Sequence, residues 1–319
     1  MRLVTYRRHG VSRAGILRSD TEIVDPNRAL AARLREDGSA SPQLSADGLV
    51  PSSMIDLLAF GASALEVAAE TLAWLDNSSE LDRDAAVSAG IIVPLADCAL
   101  DAPIPRPGKV LAIGVNYGAH AAEMARDLPE HPTVFTKVSS CIVGTGHPVH
   151  VPTESDMIDW EGELCVVIGR RARHVPANGA FDVVAGYMNG NDVTVRDWQR
   201  HTATWMMGKS WDTHGPTGPW ILTADEVPDP AQLTLRTYVN DVEKQHASVD
   251  DLLIKIPQLI EYLSTAFTLE PGDVIFTGTP SGVGQARDPQ EWLQPGDTVR
   301  VEITGLGALE NPVVVEPGR

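Results

Sequence analysis

The chain has 319 residues, enough for one large domain or two moderate ones with a substantial buried core. Its 43 acidic and 25 basic residues leave a formal charge of −18, which argues against nucleic acid or an anionic membrane as the main partner. Three cysteines without a CxxC pair (Cys98, Cys141, Cys165) suit a reduced compartment. With no secretory leader and no apolar run near the ~20 residues of a membrane helix, a cytoplasmic protein is expected.

In chain order, residues 2–7 and 14–18 read as a strand hairpin, 21–25 as a third strand, 27–36 as a helix and 36–48 as a loop. From Ser53 to Leu75, Ile55, Leu58, Ala62, Leu65, Ala69 and Leu72 recur at helical spacing, with Ser52 or Ser53 as the cap. The Pro-rich LDAPIPRPGK at 100–109 reads as a linker. It divides the chain into a small α+β domain (1–104) and a larger one (105–319). In the latter, VLAIGVN, TVFTK, HPVHVP, ELCVVIG, VAGYMNGNDVT, PWILTAD, LTLRTYVND, GDVIFTG and DTVRVEITGLG are strand-like between Gly and Pro turns. YGAHAAEMARDL is read as a helix ended by Pro129, and 253–269 as a second helix. The expectation is a β-rich α+β domain, rolled or barrel-like.

Five segments carry possible chemistry. In IDWEGELCVVIG, strand alternation puts Glu161 and Glu163 on one face with Asp159 behind and Trp160, Gly162 and Leu164 opposite. Two carboxylates leading into an apolar run need a cation or basic partners, unless the face is simply solvated. Oxygen-only ligands suit Mg²⁺, Mn²⁺ or Ca²⁺ rather than zinc. In GNDVTVRDWQRH, Asp192 could add a third carboxylate, with Arg196 and Gln199 near a substrate carboxylate; a surface strand end is the alternative.

MMGKSWDTHGPTGPW contains GKS, but Ala203 stands where a phosphate-binding loop needs Gly, so that reading fails. Lys209 there is either an exposed lysine or a cation for a developing enolate. In VNYGAHAAEM, His120 and Glu123 are one helical turn apart, a surface pair or a general base with its orienting carboxylate. LEPGDVIFTGTPSGVG ends a strand in a turn whose amides can approach an anion, but its GTPSG is not GxSxG. HExxH is absent, and His147 and His150 are expected to be structural or exposed.

These five blocks, in this order over roughly residues 105–315, resemble the fumarylacetoacetate hydrolase family; residues 1–104 match more loosely the small amino-terminal domain of bacterial members. The resemblance implies metal ligands Glu161, Glu163 and Asp192 for Mg²⁺ or Mn²⁺, with Ca²⁺ able to take the same place in crystals. It implies Lys209 as charge stabiliser, His120 and Glu123 as the water-activating pair, and Arg196, Gln199, Thr279 and Tyr117 as substrate contacts. Trp211, His214 and Gly215 depart from the usual family pattern, so the pocket walls, expected from Trp205, Met206, Trp211 and the amino-terminal domain, are specific to this chain. The implied activity is hydrolysis of a carbon–carbon bond in an acylpyruvate or other 2,4-dioxo acid through a stabilised enolate. Oxaloacetate decarboxylation or keto–enol isomerisation on the same site is the alternative, and a non-catalytic oxo-acid-binding protein a third. The expected partner is a small anionic 2-oxo acid, and the expected assembly a homodimer.

Overall fold

The computed structural model describes residues 1–78, 82–125, 127–128 and 130–318. Pro129, the expected helix end, lies outside them, and the helix there is short, Gly118–Glu123. The largest sheet among the described residues has twelve strands. Its main path runs Ile92–Pro94, Glu22–Val24, Val11–Leu17, Arg2–Arg8, Gly215–Thr223, Val184–Asn191, Gly162–Ile168, Val274–Phe276, Val110–Gly114 and Thr133–Lys137. This order has two ends, so the fold is β-rich and mixed but no barrel closes. A five-stranded sheet, including Thr234–Val239, Val242–Ser248 and Ala308–Val315, packs beside it.

Both faces of the large sheet are buried, which is why its central strand reads as the continuous run ELCVVI. Leu164, Val166 and Ile168 face Leu259, Ile260 and Leu263 of the helix Ile256–Ala266. Cys165 and Val167 face the opposite core, which contains Leu30, Leu57, Ala64 and Ala68 from the amino-terminal helices. Glu163 shares the parity of Cys165, so alternation sends its carboxylate to that second side.

The amino-terminal segment is stitched into the same sheet. Arg2 and Leu3 pair with Leu222 and Ile221. The Pro-rich segment read as a linker is also tied down: Ala99–Asp101 pairs with Arg2–Arg8, Ile104 is fully buried, and the Thr5 hydroxyl donates to the Pro103 carbonyl at 2.7 Å.

Three local expectations need correction. Residues expected as loop contain a helix, Pro42–Leu49, begun by Pro42, whose fixed φ suits a first helical turn. The long helix from Ser53 is two, Met54–Ala59 and Ala62–Asn77; the first closes with Phe60 and Gly61 amides donating to the carbonyls of Asp56 and Leu58. Ser53 caps the first as expected, accepting from the Asp56 amide. The strands Val242–Ser248 and Ala308–Val315 escaped the sequence reading because charged and polar residues interrupt their apolar pattern.

Candidate metal and 2-oxo acid site

Glu161 ends the short approach to the strand Gly162–Ile168, and Asp192 directly follows the neighbouring strand Val184–Asn191. The antiparallel register pairs Gly162 with Asn191, which sets the two carboxylates side by side. The Asp192 amide donates to the Glu161 carbonyl at 2.8 Å and the Asn191 side chain accepts from the Glu161 amide at 2.9 Å, fixing the corner. Glycine is required between the two glutamates: a Cβ at Gly162 would lie 2.0 Å from the Thr237 hydroxyl of the adjoining sheet.

One carboxylate oxygen from each of Glu161, Glu163 and Asp192 lies within 4.8 Å of the others, and all three residues are buried. Their environments differ. Lys209, also buried, donates to Glu161 and Asp192 at 2.7 Å each, while Arg196 meets Glu161 at 2.6 Å and Asp159 at 2.8 Å. Lys137, whose side chain has no exposed surface, reaches the other Asp192 oxygen at 2.7 Å and the Lys209 carbonyl. Burial alone would raise the Glu161 pKa, but Lys209 and then Arg196 bring it down to about 2. Glu163 receives only the Gly278 amide, at 2.7 Å, and has no ion pair among the described residues. Burial, then the charges of Asp192 and Glu161, push its pKa well above the usual carboxylate range. A carboxylate set with one member so disfavoured in its charged form fits a hard divalent cation, the remaining attraction that would let all three ionise.

His120, Glu161, Glu163, Arg196, Gln199, Lys209 and Thr279 line one cavity. Glu123 stands behind His120: its carboxylate meets His120 Nδ1 at 2.8 Å, so the neutral ring donates from Nδ1 and keeps Nε2 as an acceptor. Glu123 is itself held by the Gly282 amide at 3.0 Å. Thr279 is clamped, accepting from the Gln245 amide at 2.8 Å and donating to the Gly162 carbonyl at 3.0 Å. Gln199 accepts from Arg196 at 3.2 Å.

Not every expected residue reaches the cavity. Asp192 lies behind its wall, between the two lysines. Tyr117 is not at the wall: it is 1% exposed in the apolar core, with no hydrogen-bond partner for its hydroxyl, and burial followed by the Glu163 charge raises its pKa. The position after Asn116 is an extended residue whose ring packs inward, against the expectation of a substrate contact. Of the expected walls, Trp205 lines the cavity, whereas Met206, Trp211 and the described residues of 1–104 do not. Trp211 packs edge-on against Trp198, and buried His214 faces the His150 carbonyl at 2.7 Å.

Lys137, Gln245 and Gln285 were not singled out from the sequence. Lys137 closes an apolar strand, TVFTK, and a lysine there was the available signal. Gln285 lines the cavity with a buried Oε1 that has no protein partner; nothing in its local sequence marks it.

A buried carboxylate cluster that could hold a divalent cation, set beside a histidine and buried lysine and arginine side chains at the ends of two central strands, is the arrangement of an enzyme site. The pattern described as fumarylacetoacetate (FAA) hydrolase C-terminal matches residues 109–314, and the chain belongs to that family. It is 37% identical over 291 residues to the mitochondrial oxaloacetate tautomerase fahd2 of Xenopus laevis, covering 91% of this chain and 87% of that one. It is 38% identical over 268 residues to the oxaloacetate tautomerase YisK of Bacillus subtilis, covering 83% and 87%. Among solved structures it resembles maleylpyruvate hydrolase from Sphingobium sp. SYK-6 in complex with manganese(II) and pyruvate: TM-score 0.71, 32% identity, 99% of this chain and all of that one. None of the described helices is long and apolar enough to cross a membrane.

Proposed function

We propose that the chain catalyses keto–enol tautomerisation of a small 2-oxo dicarboxylic acid of the oxaloacetate class. The observation that carries this is the placement of His120, oriented by Glu123, in the same cavity as the Glu161 and Glu163 carboxylates and the Arg196–Gln199 pair. Relatives named oxaloacetate tautomerases, similar over more than four-fifths of the chain, support it.

Mg²⁺ or Mn²⁺ held by Glu161, Glu163 and Asp192 would act as a Lewis acid toward the 2-oxo acid and favour its enolate. In this reading Arg196, Gln199 and Thr279 hold the 2-oxo acid end. His120 Nε2 takes the proton from C3, and the C–H electron pair becomes the C2–C3 double bond. The C2 oxygen gains the negative charge, which the Lys209 ammonium faces, and a proton delivered there completes the enol. Running backwards, the same groups return the keto form.

Hydrolysis of an acylpyruvate is the second reading, favoured by the intact His120–Glu123 pair. There His120 would deprotonate water, hydroxide would add to the distal carbonyl, and collapse would leave the pyruvate enolate. The test follows the enol absorbance of freshly dissolved oxaloacetate with Mg²⁺ or Mn²⁺, with acylpyruvates assayed in parallel. Enol decay no faster than in buffer, alongside acylpyruvate cleavage, would replace the first reading by the second.

A further inference from the structure

Arg196 and Arg200 lie four residues apart, with Arg200 at the end of the short helix Arg196–Gln199, so both project to one side. Both line the cavity, at different depths. Arg196 is fully buried and committed to Asp159 and Glu161. Arg200 is exposed, and its guanidinium donates only to the Met157 sulfur, at 3.7 Å. Among the described residues it forms no ion pair, in a chain where acidic residues outnumber basic ones 43 to 25. The neighbouring cations behind the Gly282 loop, Lys244 and Arg287, are both turned to Glu291. A guanidinium at the mouth of an anion-binding cavity, with no carboxylate of its own, is matched to a carboxylate from solution.

Building on the proposed function, we infer that Arg200 receives the distal carboxylate of the substrate and thereby selects 2-oxo dicarboxylates over 2-oxo monocarboxylates. Arg196, Gln199 and Thr279 then read the inner, 2-oxo acid end, and the carbon chain between the two carboxylates sets the reach.

The test compares wild type, Arg200→Gln and Arg200→Lys, each loaded with Mn²⁺. 2-Oxoglutarate and 2-oxobutyrate are titrated by calorimetry, and in turnover assays the oxaloacetate KM is compared with the inhibition constant of oxalate, whose two carboxylates are too close together to reach the mouth. Arg200→Gln is expected to weaken both dicarboxylates roughly five- to tenfold while oxalate and 2-oxobutyrate stay within about twofold, and Arg200→Lys to fall between, as a point charge lacking the fork. Equal losses for dicarboxylates and monocarboxylates, or no loss for either, would overturn the assignment. The binding arm is read whether or not oxaloacetate is turned over. Failure of the proposed reaction therefore shows as absent turnover in wild type, and failure of this inference as an unchanged dicarboxylate preference.

Discussion

Glu163→Gln isolates the one carboxylate of the cluster that has no basic partner, keeping its shape and its contact with the Gly278 amide. Without metal, wild-type Glu163 holds its proton more tightly folded than unfolded, because burial and two neighbouring carboxylates oppose its charge. A carboxyl raised in this way stabilises the fold fully below its ordinary pKa and loses that contribution as pH rises toward the folded value. At neutral pH the metal-free Gln variant should therefore melt no lower than metal-free wild type. With metal the order reverses. If the substitution weakens Mn²⁺ about 100-fold, as losing one of three ligands suggests, then at a concentration 100 times the wild-type Kd the wild type gains ~2.7 kcal/mol and the variant only ~0.4. Differential scanning calorimetry with and without Mn²⁺, paired with direct Mn²⁺ titration, reads both halves. Equal Mn²⁺ stabilisation in the two proteins would refute the ligand assignment, and wild-type turnover by chelator-treated enzyme would refute the role of the metal.

His120→Ala should keep Mn²⁺ binding but slow enol–keto exchange and any acylpyruvate hydrolysis by ~10²-fold or more, as measured by the same absorbance assays. Gly282→Ala should lower kcat by up to ~10²-fold, because its Cβ would sit 2.1 Å from the Lys244 carbonyl at φ +102° and the shifted loop would release Glu123. A pH–rate profile altered in the same direction as that of Glu123→Gln would confirm that the effect runs through the imidazole. Buried His214, whose pKa falls to about 3 chiefly through burial, is neutral when folded and charged when unfolded between that value and 6.5. As pH falls through that window the unfolded state takes up the proton, so stability should drop by ~1.4 kcal/mol for each pH unit lowered from this group alone, and His214→Gln should flatten the acid-unfolding curve correspondingly.

The sequence was most legible where periodicity and sign of charge decide structure. The Glu161–Glu163 alternation, the Ser53 cap, the helix around Leu259 and the central strands all follow from side-chain period or cap chemistry. It was least legible where long-range pairing decides. Nothing local shows that Arg2–Arg8 joins the strand Gly215–Thr223, which turns the Pro-rich segment from a spacer into a packed crossing. The same limit holds at the site. Lys137 looks like the polar end of a surface strand, and only its meeting with Asp192, 55 residues away, shows why it is buried. Tyr117 was named from the resemblance alone; which way an extended residue's ring turns is not legible from its neighbours in sequence, and here it turns into the core.

The charge balance of the site leads to a further expectation about order of binding. Four buried carboxylates (Asp159, Glu161, Glu163, Asp192) face three buried cations (Lys137, Arg196, Lys209), and with Glu163 holding its proton the metal-free cluster has no net charge. An anionic ligand entering the metal-free site gives up its hydration with no net charge there to attract it. A divalent cation that displaces the Glu163 proton leaves one net positive charge, which an incoming carboxylate neutralises. Oxalate should therefore bind measurably only to protein already loaded with Mn²⁺ or Mg²⁺, and by linkage should tighten metal binding by the same factor. Calorimetric titrations run in both orders give the two factors independently. Tight oxalate binding to chelator-treated protein would mean that the lysines and Arg196, rather than the carboxylates, set the potential of the cavity.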